Sequence, residues 1–302
     1  MEGYHNPVLL KESVDALAIK PDGVYVDVTF GGGGHSREIL SRLNENGRLF
    51  AFDQDPDAQQ NIIDDPRFVL IQDNFRYISR FLRFYNISKV DGVLGDLGVS
   101  SHQFNEAERG FSTRFDADLD MRMNKSDVIS AYTVVNTYSE DQLSDVLFQY
   151  GELRNARAIA AKVYEERQVE QIITSFRLKE VLRQFLPKAK EHKILAQIFQ
   201  AIRIEVNQEL EVLKEFLFQI PGLLTVDGRL SVISYHSLED RLVKRFIRNG
   251  QFEGEPEKDF YGNIDVPMKN IGKMIVPTKE EIKKNNRARS AKLRVASLKL
   301  KN

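Results

Sequence analysis

Cysteine is absent from the 302 residues of this chain. The protein can therefore form neither a disulfide bond nor a thiolate metal site. Long apolar runs are also missing. Nothing approaches the roughly 18 residues of a membrane span, and the first residues, MEGYHNPVLLKES, lack the apolar core of a signal peptide. We therefore expect a cytoplasmic protein with no membrane partner.

No sign of charge is in large excess, since the formal net charge is −1. With 42% hydrophobic and 29% charged residues, the composition is typical of a globular protein. The basic residues nevertheless cluster in the C-terminal segment KEEIKKNNRARSAKLRVASLKLKN, which starts at Lys279. Such a patch on a nearly neutral protein is typical of a contact with a polyanion, although a solvated tail accounts for it equally well.

Strand and helix patterns alternate through the first hundred residues. The apolar, β-rich segments are GVYVDVTF, RLFAFD, RFVLIQD and VDGVLGDLG, each close to a turn sequence. Helix-length segments such as HSREILSRLN and FRYISRFLRFYN lie between them. This alternation predicts an α/β, Rossmann-like fold with a mostly parallel sheet that is covered by helices on both faces.

Helical patterns replace this alternation between residues 105 and 205. Apolar residues repeat every three to four positions from Ile194 to Leu217, which predicts one long amphipathic helix. Strand patterns return in RLSVISY and AKLRVASL. We therefore predict a sheet domain formed by residues 1–104 and 206–302, the latter with the basic tail, and an all-helical insertion at 105–205.

The glycine-rich loop in VYVDVTFGGGGHS follows a predicted strand and precedes a helix, an arrangement that holds the phosphate or sugar of a nucleotide. A nucleoside triphosphate loop would end in Gly-Lys-Ser/Thr, whereas this loop ends in Gly34-His35-Ser36 without a lysine. A dinucleotide fingerprint would need glycine at Ser36 or Arg37, which weakens this class without excluding it. The third class is S-adenosylmethionine, which has no pyrophosphate and carries a sulfonium and an ammonium.

Acidic residues at the ends of the predicted strands favour the third class. Asp53 ends the second strand and lies 22 residues after Gly31, close to the spacing of about 20 at which an acid contacts ribose hydroxyls. Asp73 ends the third strand, and Phe75 follows it in a position to stack on an adenine. We therefore expect a nucleoside-type cofactor, contacted by Asp27, Gly31, Asp53, Asp73, Phe75 and Asp96.

Several segments carry a family resemblance: VDVTFGGGGHS, FDQDPDA, DLGVSSHQ, AERGFS, LDMRM, FQAIRIEVNQEL, ISYHSLEDRLVKRF and NNRARSAKLRVA. In this order they resemble the bacterial 16S ribosomal RNA (cytosine-N4)-methyltransferase family, RsmH, formerly MraW, over nearly the whole chain. The resemblance implies a class I S-adenosylmethionine-dependent methyltransferase with an inserted helical domain. It implies methyl transfer to N4 of the decoding-centre cytidine 1402 in 16S ribosomal RNA of the small ribosomal subunit. The cofactor contacts that it implies are Gly33, Gly34, His35, Asp53, Phe75, Asp96 and Gln103.

The segment after the fourth strand, Asp96-Leu97-Gly98-Val99, occupies the place of the catalytic motif of amino-group methyltransferases. The exocyclic amine of cytosine is a poor nucleophile because its lone pair is delocalised, so positioning against an activated methyl group is the enzyme's main task. We hypothesise that the Asp96 carboxylate and the Leu97 carbonyl accept hydrogen bonds from this amine. No aromatic residue follows in the motif, and Tyr235 is the candidate for stacking on the base.

Basic and aromatic side chains alternate just after this motif, a pattern that suits the bases and phosphates of RNA. The target base of a folded RNA must be exposed or extruded, and the helical insertion would recognise its surroundings. The predicted RNA contacts are Arg109, Phe111, Arg114 and Arg122 in the insertion and Arg287, Arg289 and Lys292 in the tail.

Other functions stay open from the residues alone. An NAD-dependent dehydrogenase is disfavoured by Ser36 and by the lack of a hydride-transfer site, and a nucleic-acid-binding module is disfavoured by the strand-end acids. No two histidines have metal-ligand spacing, so we expect no metal. Ser237 and Asp240 are interpreted as a capping box that begins a helix. A homodimer is an assembly that the resemblance implies, although no stretch of sequence defines its interface.

Overall fold

The protein is described by a computed structural model that covers residues 7–256, 260, 264 and 266–299. Its described part divides into two compact units. The first comprises the residues up to Gly98 and those from Leu210 onward, and the second is the segment Val99–Glu209. The sequence analysis placed the insertion at 105–205, so the second unit is slightly wider at both ends.

The strands of the first unit are β1 Val24–Asp27, β2 Arg48–Phe52, β3 Phe68–Ile71, β4 Val90–Asp96, β5 Leu224–Ser234, β6 Met268–Asn270 and β7 Lys292–Leu298. Within the described residues they form one sheet in the order β3-β2-β1-β4-β5-β7-β6. Strands β1 to β5 run parallel, whereas β7 is antiparallel to both β5 and β6. The predicted α/β fold with a mostly parallel sheet is confirmed. The sequence analysis missed β6 because three residues are too few for a strand pattern.

The α-helices are α1 Leu10–Asp15, α2 Gly34–Ser41, α3 Ile78–Phe84, α4 Ser101–Asn105, α5 Ala131–Thr137, α6 Glu140–Gln149, α7 Ala156–Val169, α8 Ser175–Val181, α9 Glu191–Asn207, α10 Glu209–Leu223, α11 Ser237–Asn249 and α12 Lys279–Lys284. Short 3-10 helices cover Pro56–Asn61, Phe75–Tyr77, Ala107–Arg109, Arg183–Phe185 and Asn286–Ser290. Across the residues that the structure describes, none of these helices is long and apolar enough to cross a bilayer.

Alternation along β1 explains the layers of the first unit. Tyr25 lies on the sheet face covered by α1 and α2, in one apolar cluster with Leu17 and Ile39. Val26 lies on the opposite face, in a second cluster with residues of α3, α10 and α11. The sheet is therefore the middle of three layers, and the carboxyl ends of its parallel strands meet at one edge.

The second unit has an apolar core of its own, built from α5 to α9. Leu147, Ile159 and Ile202 are no more than 1% exposed and belong to a single cluster. Ser130 and Ser139 begin α5 and α6 with capping boxes, which satisfy the free N–H groups at each helix start. The insertion therefore contains what an independently packed helical domain needs.

The prediction of one helix from Ile194 to Leu217 is wrong. The helix stops at Asn207, Gln208 takes the left-handed conformation with φ of 50°, and α10 starts at Glu209. The apolar repeat continues through this break because its two halves serve different cores. Residues of α9 such as Ile202 pack in the second unit, whereas residues of α10 such as Leu217 pack in the first.

Phe216 and Phe218 on α10 offer a matched test of the first unit's core. Phe216 is fully buried against Phe75, with ring centroids 5.3 Å apart, whereas Phe218 is 73% exposed. Because Phe216→Ala leaves a cavity, it should lower the free energy of unfolding by about 3–5 kcal/mol. Phe218→Ala should change it by no more than about 0.5 kcal/mol. Urea unfolding followed by circular dichroism measures both, and equal effects would contradict this description of the core.

Candidate active site

The glycine loop connects β1 to α2 and is packed too tightly for side chains. Gly33 has φ of 74°, and a Cβ there would lie 2.9 Å from the ring of Phe30. A Cβ on Gly34 would lie 2.1 Å from the ring of Pro7. Gly31 also has positive φ. The predicted glycines are therefore required by backbone conformation at Gly31 and Gly33 and by space at Gly33 and Gly34.

Asp27, the last residue of β1, is hydrogen-bonded to both sides of this loop. Its carboxylate is fully buried and accepts hydrogen bonds from the Ser36 hydroxyl at 2.7 Å and the Thr29 N–H at 3.1 Å. Burial raises its pKa. The predicted cofactor contact of Asp27 stays a prediction; in this structure its carboxylate has no exposed surface and is bonded to the start of α2. Its role is to fix the loop.

Asp53 follows β2 and connects that strand to the glycine loop. Its carboxylate oxygens accept the Gly31 N–H at 2.7 Å and the Asp55 N–H at 2.9 Å. Burial raises the pKa of Asp53 to about 6. A carboxylate has about four lone-pair positions, so two bonds leave acceptor capacity for hydroxyl groups. Asp53 thus lies beside the loop, as its spacing from Gly31 indicated.

The end of β3 contributes Asp73 and Phe75 to the same edge of the sheet. Asp73 accepts the N–H of Asn74 at 2.6 Å, and the Asn74 side chain caps the 3-10 turn that begins at Phe75. Asn74 also donates to the Gln54 side chain at 2.8 Å. The ring of Phe75 is half-buried, with one contact to Phe216. The turns after β2 and β3 are therefore joined by side-chain hydrogen bonds.

A cluster of Asp96, Tyr235 and His35 lies where β1, β4 and β5 end. The Tyr235 hydroxyl donates to Asp96 Oδ1 at 2.8 Å, and His35 Nδ1 lies 4.0 Å from Asp96 Oδ2. The Asp96 N–H donates to the Thr29 hydroxyl at 2.6 Å. Burial raises the pKa of Asp96 to about 6 and that of Tyr235 well above its ordinary value. Three residues predicted from separate segments therefore meet in one place.

Burial lowers the pKa of His35, which favours its neutral form in this cluster. Its Nε2 lies 3.2 Å from the Val8 carbonyl oxygen, which can only accept, so the proton is assigned to Nε2. Nδ1 then presents a lone pair toward the Asp96 carboxylate. Two acceptors 4.0 Å apart suit a hydrogen-bond donor, so this corner of the site favours a group such as an amine or ammonium.

Glu239 supports the cluster and was missed by sequence reasoning. Its carboxylate, in a residue only 2% exposed, accepts the N–H of Tyr235 at 2.9 Å and that of His236 at 3.3 Å. The capping box of α11 therefore joins His236 to Glu239, and the pair predicted from Ser237 and Asp240 is wrong by one residue. A glutamate three residues after the cap was the available signal.

Leu97 reaches the site through its backbone alone. Its N–H donates to the Ile233 carbonyl at 3.0 Å and extends the ladder between β4 and β5, while its side chain is buried in the first unit's core. The next residue, Gly98, has φ of 92°. The chain therefore turns just after Leu97, and the predicted role of its carbonyl stays a prediction.

Five predicted residues belong to the second unit, of which Arg122 is described with the other basic residues below. Gln103 is buried and accepts the N–H of Ser100 at the start of α4.

Arg109 is 6% exposed and donates to the carbonyls of residues 122 and 123, and Phe111, 5% exposed, packs in the helical core. That Arg109 and Phe111 contact RNA stays a prediction, although both side chains are buried in the unit. Arg114 is exposed and lies over the rings of Phe104 and Phe115.

The remaining basic residues differ in their exposure and in whether they bond acidic residues of the protein. Arg122 is half-buried and bonds both oxygens of Asp120 at 2.8 Å. In the tail, Lys292 starts β7 opposite Ser234 and donates to Asp240 at 3.2 Å. Arg289 is exposed and Arg287 half-buried. Lys301, which belongs to the basic tail of the sequence, lies outside the described residues.

The sheet order, the glycine loop after β1 and the acids at the carboxyl ends of β2 and β4 define a class I methyltransferase fold. Residues 2–299 match the MraW methylase family. This chain belongs to that family.

Three relatives that align with this chain over nearly their whole length bear the same name, ribosomal RNA small subunit methyltransferase H. The chain is 68% identical to that of Christiangramia forsetii and 66% identical to that of Flavobacterium johnsoniae, covering 97% of both chains in each case. It is 55% identical to that of Bacteroides fragilis, covering 98% of both chains. Among solved structures, a rRNA methylase from Streptococcus thermophilus aligns with 99% of this chain and 100% of its own at 11% identity and a TM-score of 0.43.

The raised pKa of Asp96 makes a prediction about stability. Between the unfolded value of about 4 and the folded value of about 6, the folded state binds more protons, so this group lowers stability as the pH rises. Asp96→Asn keeps the shape without the charge. It should raise the free energy of unfolding at pH 7.5 by on the order of 1–3 kcal/mol, with the gain vanishing near pH 4.

Thermal melts of the wild type and Asp96→Asn across pH 4–8 measure this difference. Asp64→Asn is the control, because Asp64 is an exposed acid. A stability difference that stays constant with pH would contradict the assignment.

Proposed function

We propose that this protein is an S-adenosylmethionine-dependent enzyme that methylates N4 of cytidine 1402 in 16S ribosomal RNA of the small ribosomal subunit. The observation that carries the proposal is the Asp96 cluster, a buried carboxylate between Tyr235 and His35 at the edge where the glycine loop opens. Membership of the MraW methylase family and the shared name of the relatives support the same reaction. A ribosomal substrate also favours a cytoplasmic location.

The residues present fit S-adenosylmethionine better than a phosphate-bearing cofactor. The loop offers no lysine, its glycines leave backbone close to any ligand, and Asp53 retains acceptor capacity for ribose hydroxyls. When bound, the cofactor supplies a methyl group activated by its sulfonium. The residues that would hold it are Gly31, Gly33, Gly34, His35, Asp53, Asp73, Phe75 and Asp96, and the family resemblance adds Gln103.

On the substrate side, we propose that the Asp96 carboxylate and the Leu97 carbonyl accept hydrogen bonds from the N4 amine. Methylation replaces one N–H bond by N–CH₃, so one proton leaves, and acceptors aimed at the amine stabilise the positive charge that develops first. The Tyr235 hydroxyl, 2.8 Å from Asp96, orients this carboxylate. The half-buried Tyr235 ring stays our candidate for stacking on the base.

For RNA binding, the proposal keeps the residues that the structure leaves accessible. Arg114 and Phe115 are exposed neighbours in the second unit and suit a phosphate and an unpaired base. Arg289 is exposed in the tail. Arg122, Arg287 and Lys292 are half-buried and would have to serve RNA from the rim of a contact. We further propose a homodimer, which sedimentation equilibrium tests directly.

The reaction is tested with small subunits from cells that lack this enzyme, labelled S-adenosylmethionine and nucleoside analysis of the product. We expect N4-methylated cytidine at position 1402. Asp96→Ala should lower the rate by on the order of 10²-fold or more, because it removes an acceptor for the developing charge. The control Asp64→Ala should match the wild type. Label on a different nucleoside would overturn the specificity, and no label despite cofactor binding would overturn the proposed acceptor.

Cofactor binding is tested separately by isothermal titration with S-adenosylmethionine and with NAD. The wild type should bind the former and not the latter. Asp53→Ala should weaken binding by at least about tenfold, since charge-assisted hydrogen bonds are worth roughly 1.5–3 kcal/mol. Asp64→Ala should leave the affinity unchanged. Tight NAD binding would instead support a dehydrogenase.

A further inference from the structure

A groove of about 860 Å³ lies on the first unit between α11 and the β6–β7 pair. Its described lining includes five cationic side chains and a single acid, Asp227. The cations are Lys244, Arg248, Lys269, Arg294 and Lys299. None of these residues belongs to the candidate active site, so the groove calls for a separate explanation.

The fold brings these cations together from α11 on one side and from the β6–β7 pair on the other. Lys244 and Arg248 lie one turn apart on α11, and the buried Ile247 beside them lines the same groove. On the opposite wall, β6 and β7 pair antiparallel, with Lys269 opposite Ser297. The groove therefore has an apolar floor and basic walls.

Among the described residues, most of this positive charge has no acidic partner. Arg294 bonds Asp240, with Nε 2.7 Å from Oδ1. Lys244, Arg248, Lys269 and Lys299 are exposed, and no acidic partner contacts them within the ranges that the structure describes. Like charges placed one helical turn apart repel each other, so this arrangement opposes folding slightly. In a chain of net charge −1, such a cluster creates a local positive potential that attracts anions.

The groove and the candidate active site lie toward opposite ends of the same strand pair. Ser234, next to Tyr235, pairs with Lys292, whereas Arg229 pairs with Ser297 near the groove. The five residue steps from Lys292 to Ser297 on β7 span about 17 Å. Lys292 and Arg294 lie along this path, so basic side chains continue from one end to the other.

We propose that this groove binds the phosphodiester backbone of the ribosomal RNA outside the target nucleotide. The proposal rests on the proposed function, since it assigns a second contact to the same substrate. Exposed cations on two separate walls suit a chain of phosphates better than one small anion, which needs donors that converge on a point. The contact is independent of sequence, because phosphates carry no base information.

The test compares Lys244→Gln/Arg248→Gln with the matched control Arg80→Gln/Arg83→Gln, in which two exposed arginines of α3 are neutralised. Affinity for unmethylated small subunits is measured as a function of salt, without cofactor. Losing two phosphate contacts should weaken binding at least about tenfold and make the slope of log K against log salt shallower by about 1.4–1.8. The control should match the wild type.

Three further readouts separate this role from a structural one. The groove variant should keep the wild-type melting temperature, its affinity for S-adenosylmethionine and its turnover at saturating subunits, with only KM raised. Lys269→Gln/Lys299→Gln, on the other wall, should reproduce the effect. The proposal would be overturned if both variants kept the wild-type affinity for subunits and the wild-type salt slope. It would also be overturned if the wild type bound pyrophosphate, both variants lost that binding, and their RNA binding stayed intact.

Failure of the groove and failure of the proposed function are distinguishable. If the variants bind subunits like the wild type while N4-methylcytidine still forms, the groove assignment is wrong and the reaction stands. If the wild-type protein forms no methylated cytidine, the proposed reaction is wrong, and the salt-dependent binding measurement still decides whether the groove holds RNA.

Discussion

The candidate site depends on one buried hydrogen bond, from the Ser36 hydroxyl to the Asp27 carboxylate. A buried carboxylate without partners is strongly disfavoured, so Asp27 requires both Ser36 and the Thr29 N–H. The Thr29 hydroxyl in turn accepts the N–H of Asp96 at 2.6 Å. A single turn thus links the glycine loop, the start of α2 and the end of β4, and a disturbance at Asp27 reaches Asp96 without direct contact.

The carboxylates of Asp53 and Asp96, at the carboxyl edge of the sheet, are buried, which disfavours their ionised form. Burial raises the pKa of both Asp53 and Asp96 to about 6, so each resists ionisation more than an exposed acid does. Backbone N–H groups and the Tyr235 hydroxyl offset this cost in part. A ligand that donates hydrogen bonds or carries positive charge offsets more of it, and binding then stabilises the folded protein. The site is thus prepared for a donor-rich ligand.

The sequence predicted what depends on local pattern. Strand alternation indicated the parallel sheet. The spacing from Gly31 to Asp53 predicted a contact with ribose hydroxyls, and the structure places Asp53 against the Gly31 N–H of the same loop. Patterns could not show which strand-end acid faces outward, and Asp27 proved to face inward. Nor could they show that Arg109 is buried and bonds backbone carbonyls inside the helical unit.

Apolar periodicity also failed to predict the break between α9 and α10, because one continuous repeat supplies residues to two cores. The apolar pattern of α9 and α10 is continuous, but the break at Gln208 depends on packing that no local window contains. The capping box of α11 was misplaced by one residue for a similar reason. Glu239 and Asp240 each lie three residues after a possible N-cap, His236 and Ser237. In the structure it is Glu239 that accepts the N–H groups of Tyr235 and His236.

The position of the insertion has a consequence for how the chain folds as it is synthesised. Asp96 and Tyr235 are 139 residues apart, and β5 pairs with β4 only after the whole helical segment has left the ribosome. Long-range pairing of this kind is slow, because a large loop must close first. A helical unit with its own core can fold during this interval and shorten the effective loop. The hydrogen bond at the centre of the site is therefore among the last contacts that the newly made protein acquires.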